Sequence, residues 1–378
     1  MPESLHYLDH AATAPIRDCA VDAWVDTVRL LNPGGQYASG RLARAALEEA
    51  REQIARVLGC EPIEVIFTGS GTESCNIAVQ GLWRTGGQGR IISSPIEHPA
   101  VTETVRALGA HGADIDYLPV GWDGVVTVDA RIEESASLVT CMWANNETGV
   151  IQPVAEICAR ATGVGTPVHV DATQVVGHLP VDFAALGATT LAAGAHKFGG
   201  PRGVGILIAR RSPAPTPVLF GGGQERGIRP GTANVAGAVA TAAALTEAVS
   251  ETADTNARIT DLRDMLQTGI LEKVDDVLVH GAEASRLPGH LHLSFPGAEG
   301  DSLIMLFDSV GVACSTGSAC SAGVNRASDV LLAMGVSEHD ARGAVRFTLG
   351  YTSTERDVER VLDVVSDVVA RARLAGMA

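Results

Sequence analysis

Apolar positions recur along this chain with two different periods, and the switching between them outlines an alternating architecture. In RLARAALEEAREQIARVLG (41–59) they fall three and four residues apart, which lays one apolar stripe along a helix that Gly59 ends. VIFTGS (65–70) follows as a compact apolar strand running into a glycine-rich turn, and TESCNIAVQGLW reads as the next helix. A strand over 90–94 in RIISSPIEHPA and a helix in HPAVTETVRALGAHG continue the alternation. Two more strands, in LVTCMWANNETG and PVHVDATQVVG, end in polar clusters. Strands alternating with helices predict an α/β fold with a mainly parallel sheet. Open sheets of that kind bind ligands at the carboxyl ends of their strands, where these polar clusters fall.

Past about residue 250 the pattern changes. A charged helical stretch, ETADTNARITDLRDMLQTGILEKV, leads into the short strands HLHLSF and AVRFTLG. The closing TSTERDVERVLDVVSDVVARARL offers Thr354 as a cap and Val358, Val361, Leu362, Val365, Val368 and Val369 as one apolar face. The division this predicts is a large domain over 15–252 and a smaller α/β domain formed by 1–14 with 253–378.

Composition narrows the class. The 378 residues are 46% hydrophobic and 19% charged, which suits a packed globular protein. A net charge of −16 argues against broad non-specific nucleic-acid binding. No stretch approaches ~18 uninterrupted apolar residues, and MPESLHYLDH has neither a cationic start nor an apolar run, so a cytoplasmic location is the expectation. The seven cysteines are odd in number, scattered and without a CxxC pair, which reads as small core residues rather than a disulfide framework. His169, between valines, reads as a satisfied core residue, and His280, His290 and His292 show no metal-ligand spacing.

The candidate chemistry begins with lysine. Only Lys197 and Lys273 are lysines among 28 basic residues. Lys273 sits among carboxylates in LEKVDD and reads as a solvated charge. Lys197 ends the apolar LAAGAHK, where a free ammonium is costly to desolvate. An amine can lose its proton and form an imine with a carbonyl; a guanidinium does neither. From the residues alone, a buried salt-bridged lysine stays equally open. GSGTESCN (69–76) sets Gly71 and Thr72 between a strand and a helix start, where N–H groups and a hydroxyl would face an anion, and a simple capped turn stays equally open. Asp171 in HVDATQ ends an apolar strand and needs a cationic or N–H partner, and a protonated pyridine nitrogen is one such partner. The small, polar, glycine-bearing CSTGSACSAGVNRASD (314–329) is hard to bury and is expected to be mobile. Cys320 within it is either a thiolate nucleophile or a chance surface cysteine.

YLDHAATAP, SGTESCN, IEHPAV, NNETG, HVDATQ, GAHKFGGPRGVG, RGIRPGT and GSACSAG follow one another across nearly the whole chain. In that order they resemble the cysteine desulfurases of the NifS and IscS type, class V aminotransferase relatives among fold-type I pyridoxal-phosphate enzymes. The resemblance implies a fold-type I transferase with a large, mainly parallel-sheet domain and a smaller C-terminal α/β domain. It implies that Lys197 holds pyridoxal phosphate as an imine, that Asp171 pairs with the pyridine nitrogen and that His98 stacks on the ring. By the same match Asn146 and Gln174 hold ring substituents, while Gly71, Thr72 and His196 bind phosphate. Thr232 resembles a residue that reaches the neighbouring subunit's phosphate, which implies a homodimer. Arg346, with Asn32, would hold the carboxylate of L-cysteine. Lys197 would shuttle the Cα proton, and His98 would assist proton transfer. Cys320 would take the sulfur as a persulfide, leaving L-alanine. Cys314, at the end of the apolar run SVGVAC, reads as structural from its setting, with a relay or protective disulfide as the alternative. The implied acceptors are iron–sulfur scaffold proteins or tRNA-thiolating enzymes, and no metal is implied. Selenocysteine lyase and class V aminotransferase activity are the alternatives the same site allows. One position departs from the family pattern: Gly194 stands three places before the lysine, where related enzymes often carry a hydroxyl.

Overall fold

The computed structural model describes residues 5–317 and 327–376. In chain order its strands are β1 (His6–Tyr7), β2 (Val65–Thr68), β3 (Ile91–Ser93), β4 (Ile115–Tyr117), β5 (Leu138–Met142) and β6 (Val168–Asp171). Then come β7 (Thr190–Gly194), β8 (Gly205–Ala209), β9 (Leu278–His280), β10 (His290–Ser294), β11 (Val312–Ala313) and β12 (Ala344–Thr348). The first six helices are α1 (Asp18–Thr27), α2 (Ala38–Leu58), α3 (Gly71–Thr85), α4 (Pro99–Ala110), α5 (Val154–Gly163) and α6 (Phe183–Leu186). They are followed by α7 (Val235–Ser250), α8 (Thr252–Lys273), α9 (Gly300–Ser309), α10 (Asp329–Ala333), α11 (Glu338–Arg342) and α12 (Glu355–Gly376).

Seven strands make the main sheet, in the order β2-β8-β7-β6-β5-β3-β4. β8 is antiparallel to both neighbours and the remaining pairs are parallel. β5, β6, β7 and β8 are buried at every position, as strands covered on both faces must be. Element boundaries have local causes. Gly59 ends α2 with a left-handed φ of 64°, which costs glycine little. Asn234 caps α7, whose alanine-rich face lets α1 and α2 pack closely on it.

A second packing cluster gathers Leu8 with Ile259, Leu266, Leu291, Phe307, Phe347 and the valines of α12. Val358, Val361, Val365, Val368 and Val369 are buried there, and Leu362 packs against them. Thr354 precedes α12 and donates both its N–H and its hydroxyl to Asp357 Oδ2 (2.8 and 2.9 Å). β12-β10-β9 form an antiparallel sheet, and β1 pairs in parallel with β11, so residues from the two ends of the chain lie together. Lys273 ends α8 and is exposed, where its charge complements the helix dipole.

One expectation needs correcting. His169 is fully buried and its Nδ1 meets Thr190 Oγ1 at 2.9 Å, but its Nε2 finds no partner among the described residues. It is a core histidine satisfied on one side only: its register partners are Thr190, which it bonds, and Thr140, whose hydroxyl is likewise unpartnered among the described residues.

Candidate active site

Because β8 alone is reversed, the carboxyl ends of β2, β3, β5, β6 and β7 share one edge of the sheet. Residues following those ends line a cavity of about 210 Å³. Eight of the residues singled out from the sequence meet there: Gly71, Thr72, His98, Asn146, Asp171, Gln174, His196 and Lys197.

The α3 end of the cavity is built for an anion. Ser70 caps α3, its Oγ accepting from Glu73 N–H at 3.0 Å. Glu73 in turn accepts from Gly69 N–H (2.6 Å) and pairs with Arg229 (2.7 Å), which fixes the turn. The N–H groups of Gly71 and Thr72 then point out of the helix start, with the exposed Thr72 beside them. A Cβ at 71 would stand 3.1 Å from Thr173 Oγ1, so any side chain there would press that hydroxyl aside by a few tenths of an ångström. At Gly194 a Cβ would meet nothing nearer than 3.5 Å, so this departure from the family pattern leaves room for a side chain.

At the end of β6, Asp171 is 5% exposed. Its Oδ1 accepts from Thr173 N–H at 3.0 Å. That partner is a neutral backbone donor, so a cation at the buried carboxylate would complete its pairing. Lys197 stands in a short turn after β7, and its Nζ donates to the carbonyls of Ala11 (2.5 Å) and Ala12 (3.0 Å). Gln174 Nε2 donates to the same Ala11 carbonyl (3.1 Å), and His196 Nδ1 meets Thr13 Oγ1 at 3.2 Å. Burial, with the charges of Lys197 and Arg202, pushes the His196 pKa down to about 4, so the ring is neutral. His98 caps α4, its Nδ1 accepting from Ala100 N–H at 3.1 Å, which leaves the ring proton on Nε2. Burial lowers its pKa; the charge of Asp171 opposes this, and those of Lys197 and Arg346 add to it.

Several contributors escaped the sequence reading. Asn145 builds the turn that presents Asn146: its Oδ1 accepts from Glu147 and Thr148 N–H (2.9 Å each), and its Nδ2 donates to Ile96 O (3.1 Å). The carbonyls of Ala11 and Ala12 wall the lysine, although the motif containing them suggested no role. Cys75 lines the cavity rather than only filling the core.

Three implied residues stand outside the lining. Arg346 is buried behind Asn146, donating to its carbonyl (2.7 Å) and to Asp9 Oδ1 (2.7 Å), with Nε unpartnered among the described residues. Asn32 is exposed and accepts from Gly34 N–H at 2.8 Å, and Thr232 is exposed on the segment before α7. Cys320 lies outside the described residues. Gly317 and Ser328, on either side of that segment, both rest against Glu147, whose Oε2 accepts from the Ser328 hydroxyl at 2.5 Å. Cys314 is a thiol that burial holds well above its usual pKa, which suits a structural role and not a nucleophile. The six described cysteines are free thiols, and no cluster of His, Cys, Asp and Glu among the described residues could hold a metal.

A phosphate-ready helix start, a buried carboxylate and an amine on one cavity, at the strand ends of a mostly parallel sheet, define a fold-type I pyridoxal-phosphate architecture. Residues 6–361 match the family model described as aminotransferase class-V, and the chain belongs to that family. Within it the chain is 47% identical to an IscS-like cysteine desulfurase of Mycobacterium tuberculosis over 98% of each chain. It is 39% identical to cysteine desulfurase IscS of Dictyoglomus turgidum over 97% of this chain and 95% of that one. A solved NifS-like protein superposes with a TM-score of 0.90 at 34% identity over 97% of this chain and 100% of the other. A NifS-like protein from Rickettsia africae gives 0.88 at 28% over 97% and 99%. The chain is thus one of the cysteine desulfurases of the IscS and NifS kind.

Proposed function

We propose that this cysteine desulfurase converts L-cysteine to L-alanine and passes the sulfur to Cys320 as a persulfide, with pyridoxal phosphate as its cofactor. The observation that carries the reading is the convergence of Lys197, Asp171, His98 and the α3 turn on one cavity. The residues present fit the group: two outward N–H groups and a hydroxyl suit its phosphate, and a buried carboxylate held by the Thr173 N–H suits a cationic ring nitrogen. Gly71, Thr72 and His196 would hold the phosphate, Asp171 the ring nitrogen, Asn146 and Gln174 the ring substituents, and Lys197 the aldehyde carbon. When bound, the cofactor supplies an electron-withdrawing ring that lowers the cost of removing the substrate Cα proton.

The chain's own groups do the rest. Lys197 Nζ, set between two backbone carbonyls, carries the Cα proton. His98 lines the cavity where the ring would lie and, with its proton on Nε2, would serve transfers at the substrate sulfur. Arg346, helped by Asn32, would receive the substrate carboxylate; its buried Nε, unpartnered among the described residues, is the donor that supports this role. The Cys320 thiolate attacks the substrate sulfur, an S–S bond forms and the Cβ–S bond breaks. The bonding pair stays with carbon and takes up a proton, giving alanine and Cys320–S–SH.

The same reading makes the protein a homodimer in which Thr232 reaches the neighbouring phosphate, and it keeps the division into 15–252 and 1–14 with 253–378. It takes iron–sulfur scaffolds or tRNA-thiolating enzymes as acceptors, with no membrane or direct nucleic-acid partner and a cytoplasmic location. No helix among the described residues is long and apolar enough to cross a membrane. The test is sulfur release and alanine formation from L-cysteine by the wild type and by Cys320→Ala. Loss of both in the variant is expected; sulfur release at the wild-type rate sinks the proposal.

A further inference from the structure

The segment whose carbonyls hold Lys197 Nζ also carries Asp9, two residues before Ala11. Asp9 Oδ1 accepts from Arg346 Nη2 at 2.7 Å, an ion pair in which the arginine side chain is 4% exposed and the aspartate 20%. The Asn146 carbonyl accepts from Nη1 of the same guanidinium at 2.7 Å. Backbone contacts fix both partners. Asp9 bridges to Thr348 of β12, and the Tyr7 hydroxyl lies 2.9 and 2.7 Å from the carbonyls of Asp9 and Thr13. Arg346 exchanges two backbone bonds with Ser315 (2.6 and 3.1 Å). Glu147 is near enough for its carboxyl to feel the arginine's charge, but its Oε2 is taken by the Ser328 hydroxyl (2.5 Å). Among the described residues the ion pair of Arg346 is therefore with Asp9.

A guanidinium is a planar fork, so one bond at each terminal nitrogen holds it against rotation. The buried Nε, unpartnered among the described residues, is left over. We propose that Asp9 is a positioning residue: with the Asn146 carbonyl it fixes the plane of the Arg346 guanidinium, so that the unspent N–H edge meets the substrate carboxylate. This rests on the reading of Arg346 given above. What Asp9 contributes is orientation rather than attraction, since its own charge offsets that of Arg346 toward a second carboxylate. One short segment then places the lysine that carries the Cα proton and the arginine that takes the carboxylate, two groups bonded to the same carbon.

The test uses two variants that keep a partner on Arg346. Asp9→Asn keeps the acceptor oxygen in place without the charge, and Asp9→Glu keeps the charge but carries the oxygen one methylene further. KM and kcat for alanine formation from L-cysteine are measured on the holoenzymes. Dissociation constants for L-alanine, and for ethylamine as its carboxylate-free counterpart, come from the shift of the cofactor's visible band. Asp9→Glu should raise KM and the L-alanine constant about tenfold, the worth of one charge-assisted hydrogen bond. The change in kcat should be smaller, and the ethylamine constant should hold. Asp9→Asn should stay within about threefold of the wild type on every readout. Wild-type values in both variants overturn the proposal. An Asp9→Asn enzyme as impaired as Asp9→Glu overturns it too, since charge and not orientation would then matter, and so does an equal rise for ethylamine. A wild type that binds ethylamine as tightly as L-alanine overturns the assignment of Arg346 to the carboxylate, whatever the variants do.

Discussion

At the scale of single residues, what distinguishes Lys197 is that its amine can be unprotonated where a guanidinium cannot. Lys197→Arg keeps a cation near the Ala11 and Ala12 carbonyls but should abolish covalent cofactor retention and slow alanine formation by about 10²-fold or more, read from the absorption spectrum and a single-turnover assay. Gly194→Ser makes the opposite kind of prediction. Its Cβ fits, with His196 and Thr173 at ordinary contact distance. The added hydroxyl should tighten pyridoxal-phosphate binding by about three- to tenfold in an apoenzyme titration; unchanged affinity would mean that it does not reach the phosphate. Lys197 and Asp171 were legible in the sequence because each is an expensive or oddly placed group in its setting, whereas His98 stood out only through the family motif IEHPAV. Asn145 was not legible, since its work is to bond backbone N–H groups of its own turn, and the carbonyls of Ala11 and Ala12 carry no residue signature at all. Cys75 was hidden for another reason: a small thiol on a helix reads as core, and only the fold shows Asp171 beside it.

At the scale of elements, the segment before α7 holds unusual backbone. Glu225 and Arg226 have φ of 48° and 60°, values that non-glycine residues rarely adopt. A buried pair secures it: Glu225 takes both terminal nitrogens of Arg51 from α2 (2.7 and 2.9 Å) and the N–H of Phe67 from β2 (2.9 Å). Glu225→Ala should cost about 3 kcal/mol in chemical denaturation, because it strands a buried guanidinium, with Glu225→Gln costing less. Equal small losses in both variants would show the segment is held by other contacts. The amphipathic helices α2 and α12 followed directly from their periodicity, and β2, β5 and β6 from compact apolar runs that end in glycine-rich or polar clusters. β7 and β8 are just as uniformly buried, and nothing in the sequence reading set them apart. The reversal of β8 is a matter of connection rather than of local pattern.

At the scale of the whole molecule, buried imidazoles set the response to acid. Burial lowers the pKa of eight of the 11 histidines, His10, His98, His169, His178, His196, His280, His290 and His292. For His10, His169, His196 and His280 the folded value is about 4 against 6.5 in the unfolded chain. The unfolded state therefore binds more protons between these values. The stability those four contribute is whole above pH 6.5 and falls as pH drops toward 4, by up to about 1.4 kcal/mol per pH unit for each. Glu147, pushed up to about 7 by burial, and Glu97 act in the opposite sense, favouring the fold at acid pH and losing that contribution as pH rises. The histidines outnumber them, so denaturation midpoints should fall from pH 7 to pH 5; a constant midpoint would contradict this balance. The pairing of β1 with β11, and of Asp9 with Arg346, has a consequence in time. A ribosome delivers Ala11 and Ala12 among the first residues, but the strands that fix their segment arrive some three hundred residues later. The seven-stranded sheet can assemble on the nascent chain while one wall of its reaction chamber is still missing. Competence to handle sulfur is thus deferred until translation is nearly done.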